Sequence, residues 1–338
     1  MKAIATHALP RSGLAMTTLG LGCSQLGGLY KPMSAEQATA LVDWAWDAGI
    51  RYFDTAPFYG YTLSERRVGH SLQRRERERY VLSTKVGRLM RPDATVQPGD
   101  GGWAHPLPFR PHFDYTFDGI MRSYEDSQQR LGMRTIDVLY VHDIGVATHG
   151  DQHSRYWEQL TRGGGFRALA ELRECQAVAA IGLGINEWQV AVDAMQEADL
   201  DLILLAGRYT LLEQEALAPL LDRCARNDTR IVAGGVFNSG VLVGNGKFNY
   251  ADAPVEVADR VARLAAVCSR FEVPLAAAAL QFPLAHPAVV SCVIGASSIA
   301  QLQQNIAWLE TPLPPELWQA LQREGLIAEA APIPEVCA

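Results

Sequence analysis

The 338 residues contain only six cysteines, Cys23, Cys175, Cys224, Cys268, Cys292 and Cys337, scattered with no C-x-x-C pair and no cysteine–histidine cluster at zinc spacing. A disulfide framework and a structural zinc site are thereby excluded, and the thiols are expected to be reduced. No run of lysine or arginine is long enough to track a phosphate backbone. The densest basic stretch, residues 74–79, interleaves arginine with glutamate, and the formal charge is -7, so nucleic acid is not an expected partner. No window approaches ~18 uninterrupted apolar residues. Residues 1–18, with Pro10, Arg11 and Gly13, lack the apolar core of a signal peptide. No membrane partner is expected, and a cytoplasmic location is. The glycine fingerprint of an open dinucleotide-binding sheet is also missing: residues 20–28 are glycine-rich but wrongly spaced, and no acidic residue ends a second strand in the expected setting.

What is present is the material of an α/β protein. With 48% hydrophobic and 20% charged residues the chain has ample substance for a core. Short apolar or β-branched runs at 18–23, 51–55, 80–86, 136–142, 179–184, 202–206, 230–234 and 291–295 alternate with segments of helical period at 34–48, 64–74, 118–131, 167–176, 187–198, 213–226, 254–271 and 299–308. Eight strands each followed by a helix predict a closed (β/α)8 TIM barrel, one domain over residues 1–338. Ser34 followed by Gln37 predicts a capping box, and Gly49 a helix stop. Pro274 splits the seventh connection and implies an extra helix over 275–285. Long loops at 87–116 and 144–165 follow strands, so in a barrel both lie on the face that carries active sites. The tail, 329–338, is open to reading as a loose end or as a flap.

Four chemistry-bearing side chains fall at consecutive strand ends. The run Tyr52-Phe53-Asp54-Thr55-Ala56-Pro57-Phe58-Tyr59-Gly60 ends a strand in Asp54 and presents Tyr59 in the turn beyond; Lys85 ends the third strand and His142 the fourth. Singly, each has an ordinary structural explanation. Together, Asp, Tyr, Lys and His on one rim point to acid–base chemistry. A free tyrosine, with a pKa of ~10, exchanges protons poorly near neutrality, but an adjacent ammonium stabilises its phenolate. Lys85 is placed to do this with Asp54 orienting it, and His142 to hydrogen-bond a substrate oxygen.

These motifs resemble those of the aldo-keto reductase superfamily along nearly the whole chain. The resemblance implies a catalytic tetrad of Asp54, Tyr59, Lys85 and His142, an extended NAD(P) bound across the barrel mouth, and no metal. It further implies cofactor contacts from Gly22 and Cys23, the latter replacing the usual threonine, from Asn186 toward the nicotinamide amide, and from Tyr209. Phe237, Asn238, Ser239 and Gly240 are the expected pyrophosphate loop, without the tyrosine that stacks on the nicotinamide in many members. Gly295, Ser297, Ser298, Gln301, Gln304 and Asn305 are expected at the adenosine end. Members that prefer NADP tend to carry Lys and Arg where this chain has Gly295 and Gln301, so NAD is the expected cofactor.

Within the superfamily the phrasing is most similar to the bacterial D-threo-aldose 1-dehydrogenase (L-fucose dehydrogenase) and pyridoxal 4-dehydrogenase group, with plant L-galactose dehydrogenase as a relative. This implies NAD(P)-dependent oxidation of a free aldose such as L-fucose, L-galactose or D-arabinose at C1 to the lactone. Oxidation of pyridoxal, or general aldehyde and ketone reduction, is the alternative. Substrate contacts are expected from Gln25, Phe58, Trp103 and Asp143, with Tyr30, Phe109 and Phe113 also in the loops. Two rival classes remain. A nicotinamide-binding regulatory subunit of a membrane channel finds no support in the acidic balance. A metal-dependent hydrolase using Asp54, His142 and Asp143 would need to tolerate Lys85 beside Asp54.

Overall fold

Eight parallel strands close into a barrel in this computed structural model, which describes residues 1–249 and 251–334. The barrel strands are β1 (Leu19–Gly22), β2 (Tyr52–Asp54), β3 (Val81–Val86), β4 (Val138–His142), β5 (Ala180–Ile185), β6 (Leu202–Ala206), β7 (Arg230–Gly234) and β8 (Val289–Gly295). Each pairs with the next and β8 returns to β1, so no edge is left exposed. All eight expected strands are present, with small displacements at their ends.

The helices are α1 (Ala35–Asp47), α2 (Leu63–Leu72), α3 (Phe117–Leu131), α4 (Val146–His149), α5 (His153–Leu160), α6 (Gly165–Glu174), α7 (Trp188–Glu197), α8 (Asp222–Arg226), α9 (Val255–Arg270), α10 (Leu275–Gln281), α11 (Ile299–Glu310) and α12 (Pro315–Arg323). The expected capping box opens α1: Ser34 Oγ accepts from the Gln37 N–H and the Gln37 side chain accepts from the Ser34 N–H. Two layers of core result. Between strands and helices lies one continuous apolar cluster. Inside the barrel, Tyr52, Val81, Val138, Tyr140, Leu202, Val232 and Val290 fill the axis, and Leu9 and Met16 beside an N-terminal hairpin (Thr6–Ala8 with Ala15–Thr17) plug its lower end. Each such aliphatic side chain contributes roughly 1.5–3 kcal/mol by leaving water.

Three expectations are corrected. The helix read over 213–226 shrinks to α8, because Ala218 is extended (φ -126°, ψ 129°) ahead of Pro219, which cannot donate a helical hydrogen bond. The 87–116 loop contains an antiparallel hairpin, Arg88–Pro92 with Phe109–Phe113. Helix α12 was not anticipated, although Pro314-Pro315 before Leu317, Trp318 and Leu321 carries a helix-start and an apolar stripe. The described cysteines, Cys23, Cys175, Cys224, Cys268 and Cys292, are free thiols. Cys337 and the end of the 329–338 tail lie outside the described residues. Among the described residues no single helix is long and apolar enough to cross a membrane.

Candidate active site

The strand register brings Asp54, the last residue of β2, level with Ser83 of β3, and Lys85 level with Tyr140 of β4, so three strand ends converge on one rim. Lys85 is 2% exposed, and its Nζ donates to Asp54 Oδ2 at 2.7 Å, to Tyr59 Oη at 3.0 Å and to the Thr55 carbonyl at 3.0 Å. All three protons of the ammonium are thus engaged. Ser83 Oγ donates to Asp54 Oδ1 at 2.7 Å and itself hydrogen-bonds Tyr52, which meets Tyr140 inside the barrel. The Tyr59 ring lies 6.0 Å from the His142 ring, edge to face.

Backbone packing places the tyrosine. Gly60 sits at φ +63°, and a Cβ there would come within 2.4 Å of the Gly27 carbonyl; a Cβ on Gly27 would come within 2.7 Å of the Tyr59 backbone. Only glycine at both positions lets these two loops touch.

The electrostatics divide the set into a permanent cation, a protonated phenol and a neutral imidazole. Burial alone would lower the Lys85 pKa, but Asp54 and Tyr59 together hold it above its ordinary value. Burial raises the Tyr59 pKa; Lys85 pulls it back without cancelling the rise. Lys85 thus acts on the phenol in the expected direction, and the enclosure of the phenol outweighs it. His142 is held well below the usual histidine range by burial, then by the charges of Arg88 and Lys85.

A residue that the sequence did not single out, Arg88, joins this rim. It stands one turn beyond Lys85 on the loop hairpin, is 6% exposed, and donates to Asp143 Oδ2 at 2.6 Å, its guanidinium lying over the Phe58 ring at 4.5 Å and the Phe113 ring at 5.5 Å. Asp143 also accepts from Asn186 Nδ2 at 3.0 Å. Phe58 and Trp103 stand edge to face at 5.6 Å, Trp103 lies 5.8 Å from Tyr59, and Asp143 lies 3.4 Å from His142, so the structure brings these three expected substrate residues against the four strand-end side chains, with Trp103 itself buried. Gln25 does not: its side chain lies against Gly295 on the β1–β8 side of the mouth, where cofactor contacts were expected. Phe109 pairs with Pro92 at the outer end of the hairpin, and Tyr30 is an exposed rim residue.

The expected cofactor residues also separate into two groups. Gly22, Asn186, Ser239, Gly240, Gly295, Ser297, Ser298, Gln301 and Gln304 are partly or fully accessible at the strand ends. Cys23 is fully buried, its N–H donates to Asp54 and its carbonyl accepts from Ser64, so it supports the tetrad from beneath rather than facing a ligand. Tyr209 packs against Phe282 and His286 in the helix layer, and Phe237 packs against Trp308. Asn238, Ser239 and Gly240 have consecutive positive φ values of 46°, 59° and 99°, and the N–H groups of Asn238 and Gly240 are taken up by the Gly235 and Phe237 carbonyls, so the loop is a tight left-handed turn in which those two donors are already used. Asn238 Oδ1 and Asn305 Nδ2 are buried without partners among the described residues, donor and acceptor capacity that fits a dinucleotide across these loops. Ser298 caps α11, and Gln301 Oε1 accepts from both the N–H and the hydroxyl of Ser297, placing a neutral oxygen at the helix N-terminus. Arg208 links these loops: it donates to the Asn186 carbonyl and pairs with Glu213, which also holds Asn238.

Among the described residues no group of three or more His, Cys, Asp or Glu side chains is arranged to hold a metal. A groove of about 1240 Å³ at the opposite end of the barrel is lined by arginines paired with carboxylates, Arg77–Asp137 and Arg173–Asp201 among them, and lies remote from the tetrad.

A closed barrel with a buried Lys–Asp pair behind a tyrosine and a neutral histidine beside it defines a class of oxidoreductase, one in which a tyrosine is set to exchange a proton with a substrate oxygen. The chain belongs to the aldo/keto reductase family, whose model matches residues 18–324. It is 52% identical to a pyridoxal 4-dehydrogenase of Microbacterium luteolum over 97% of this chain and 99% of that protein. It is 43% identical to a D-threo-aldose 1-dehydrogenase of a Pseudomonas species over 94% and 96%. A solved aldo-keto reductase from Bacillus halodurans superposes with a TM-score of 0.73 at 24% identity, covering 97% of this chain and 98% of that one, a likeness of fold. The family's enzymes use NAD(P)H.

Proposed function

We propose that this chain oxidises a cyclic hemiacetal to a lactone with NAD, and that pyridoxal is its substrate. The observation that carries the chemistry is Lys85 Nζ held at once by Asp54 at 2.7 Å and Tyr59 at 3.0 Å. NAD, when bound, supplies the hydride acceptor. Tyr59 takes the hydroxyl proton of the substrate in oxidation or donates one in reduction, Lys85 stabilises the phenolate between these states, and neutral His142 hydrogen-bonds the reacting oxygen. Asp54 and Ser83 keep the lysine in place.

The 52% identity with a pyridoxal 4-dehydrogenase and the apolar faces of Phe58 and Trp103 beside Tyr59 support a flat, aromatic hemiacetal. A free aldose is the second reading, favoured by the polar group of Arg88, Asp143 and Asn186, which suits a hydroxyl-bearing ring. The preference for NAD rests on the absence of Lys and Arg from residues 295–305 and on the neutral Gln301 oxygen at the α11 N-terminus, where a 2′-phosphate would want a cation.

The test is NADH formation with pyridoxal, L-fucose, L-galactose and D-arabinose, each with NAD and NADP, on wild type and Tyr59→Phe. Turnover of pyridoxal with NAD, falling by about 10²- to 10⁴-fold in the variant, is expected. Turnover of the sugars alone would transfer the assignment to the aldose reading, and activity only with NADP would overturn the cofactor preference.

A further inference from the structure

Each of the two side chains proposed to meet the reacting oxygen has a cation–carboxylate pair beside it. Tyr59 has Lys85–Asp54. His142 has Arg88–Asp143: its Nε2 lies 3.4 Å from Asp143 Oδ2, the same oxygen that receives Arg88 at 2.6 Å. A neutral imidazole carries one proton, and the neighbouring hydrogen bonds decide which nitrogen holds it. Here Nδ1 is buried without a partner among the described residues, whereas Nε2 faces a carboxylate, which can only accept. That arrangement favours the proton on Nε2.

Three further contacts hold the carboxylate there. Asp143 adopts φ +41°, a left-handed conformation that a non-glycine residue keeps only when its surroundings enforce it. Its N–H donates to the Gly184 carbonyl at 2.9 Å, Asn186 binds Oδ1, and the preceding carbonyl of His142 receives the Tyr115 hydroxyl at 2.8 Å. Arg88 is itself clamped between Phe58 and Phe113. We propose that Asp143 is a positioning residue that holds His142 in its Nε2–H tautomer, and that Arg88 anchors Asp143 for this task. The inference rests on the reading that His142 donates to the substrate oxygen: Asp143, at 3.4 Å, selects the protonated nitrogen, and a bound substrate oxygen takes over that same single Nε2 proton. It differs from a purely structural role, in which the Arg88–Asp143 pair only ties the loop hairpin to the barrel.

The tautomer is readable without substrate. Long-range ¹H–¹⁵N spectra of histidine-labelled protein, with His142 assigned by loss of its signals in His142→Gln, should show Nε2–H in the wild type at neutral pH. In Asp143→Asn, which offers an amide in either orientation, and in Arg88→Gln, the uniform Nε2–H state should be lost. The kcat should fall on the order of 10²-fold while KM for NAD changes far less. Arg88→Lys, which retains the charge but not the fork, should recover part of both signals. A wild-type His142 protonated on Nδ1, or a tautomer unchanged in Asp143→Asn, would overturn the proposal. A wild-type Nδ1–H signal overturns the proposal even where a variant does not fold. Because the spectra need no substrate, an enzyme that turned over none of the compounds above would count against the proposed function and leave this inference to be judged on its own data.

Discussion

At the scale of single residues, the site turns on a competition at Tyr59 between its enclosure and its neighbour. Burial raises the phenol and Lys85 lowers it, with burial the larger influence, so the phenol is protonated at neutral pH. The sign of the pH dependence follows. If Tyr59 is the general base, oxidation needs the phenolate and should accelerate as pH rises toward the tyrosine's titration, while reduction needs the phenol and should slow. In Lys85→Met the opposing charge is gone, so the alkaline limb should move to higher pH and kcat for oxidation at neutral pH should drop by about 10²-fold or more. Parallel pH–rate profiles of wild type and variant measure both. A limb that stayed in place would detach Lys85 from the proton. Asp54, Tyr59, Lys85 and His142, which the structure gathers on one rim, were legible as a group in the chain because each ends a strand or sits in a fixed turn. Arg88 was not, since an arginine in a long loop carries no periodicity. Only the hairpin, invisible in the pattern, folds it back onto Asp143. Cys23 and Tyr209 illustrate the reverse: position along the chain suggested a cofactor contact, but the direction of the side chain, set by the register and by the helix layer, takes each into the interior.

At the scale of elements, the helices that follow β2 and the 87–116 loop hold the rim by close approach. Gly69 on α2 faces the last turn of α3, where a Cβ would lie 2.1 Å from the Leu131 carbonyl oxygen and 2.6 Å from its carbon. Both atoms are backbone and cannot rotate away. Gly69→Ala should therefore force the helices apart and cost about 1–3 kcal/mol, the usual penalty of overpacking, despite alanine's better helix propensity. Urea unfolding checks this, and a stabilised variant would show that the α2–α3 contact yields easily. Element type was readable wherever period and caps agreed, as at α1 with its Ser34–Gln37 box and α9 ending before Pro274. It failed at 213–226, where the apolar spacing persisted through Pro219 but the backbone could not.

For the whole molecule, three buried histidines couple folding to acid. His142 is held well below the usual range, His149 is lowered to about 4, and His286 is lowered, in each case chiefly by burial. With folded-state values depressed, the unfolded chain binds more protons once pH falls below ~6.5, and stability declines in that direction. Each histidine adds a slope of at most about 1.4 kcal/mol per pH unit, His149 doing so from there down to about pH 4. Unfolding free energies measured at stepped pH should show this loss, and His149→Gln should shed part of it. A flat profile between pH 7 and 5 would contradict the burial of these rings. By itself the sequence determined the alternation that closes the barrel, and with it which side chains stand at the strand ends, because both depend on local period and chain order. Tertiary structure alone decided which of those side chains face the mouth, that Arg88 and Asp143 meet beside His142, and that enclosure rather than Lys85 dominates Tyr59. Those are properties of distance and dielectric between residues far apart in the chain, and no local pattern encodes them.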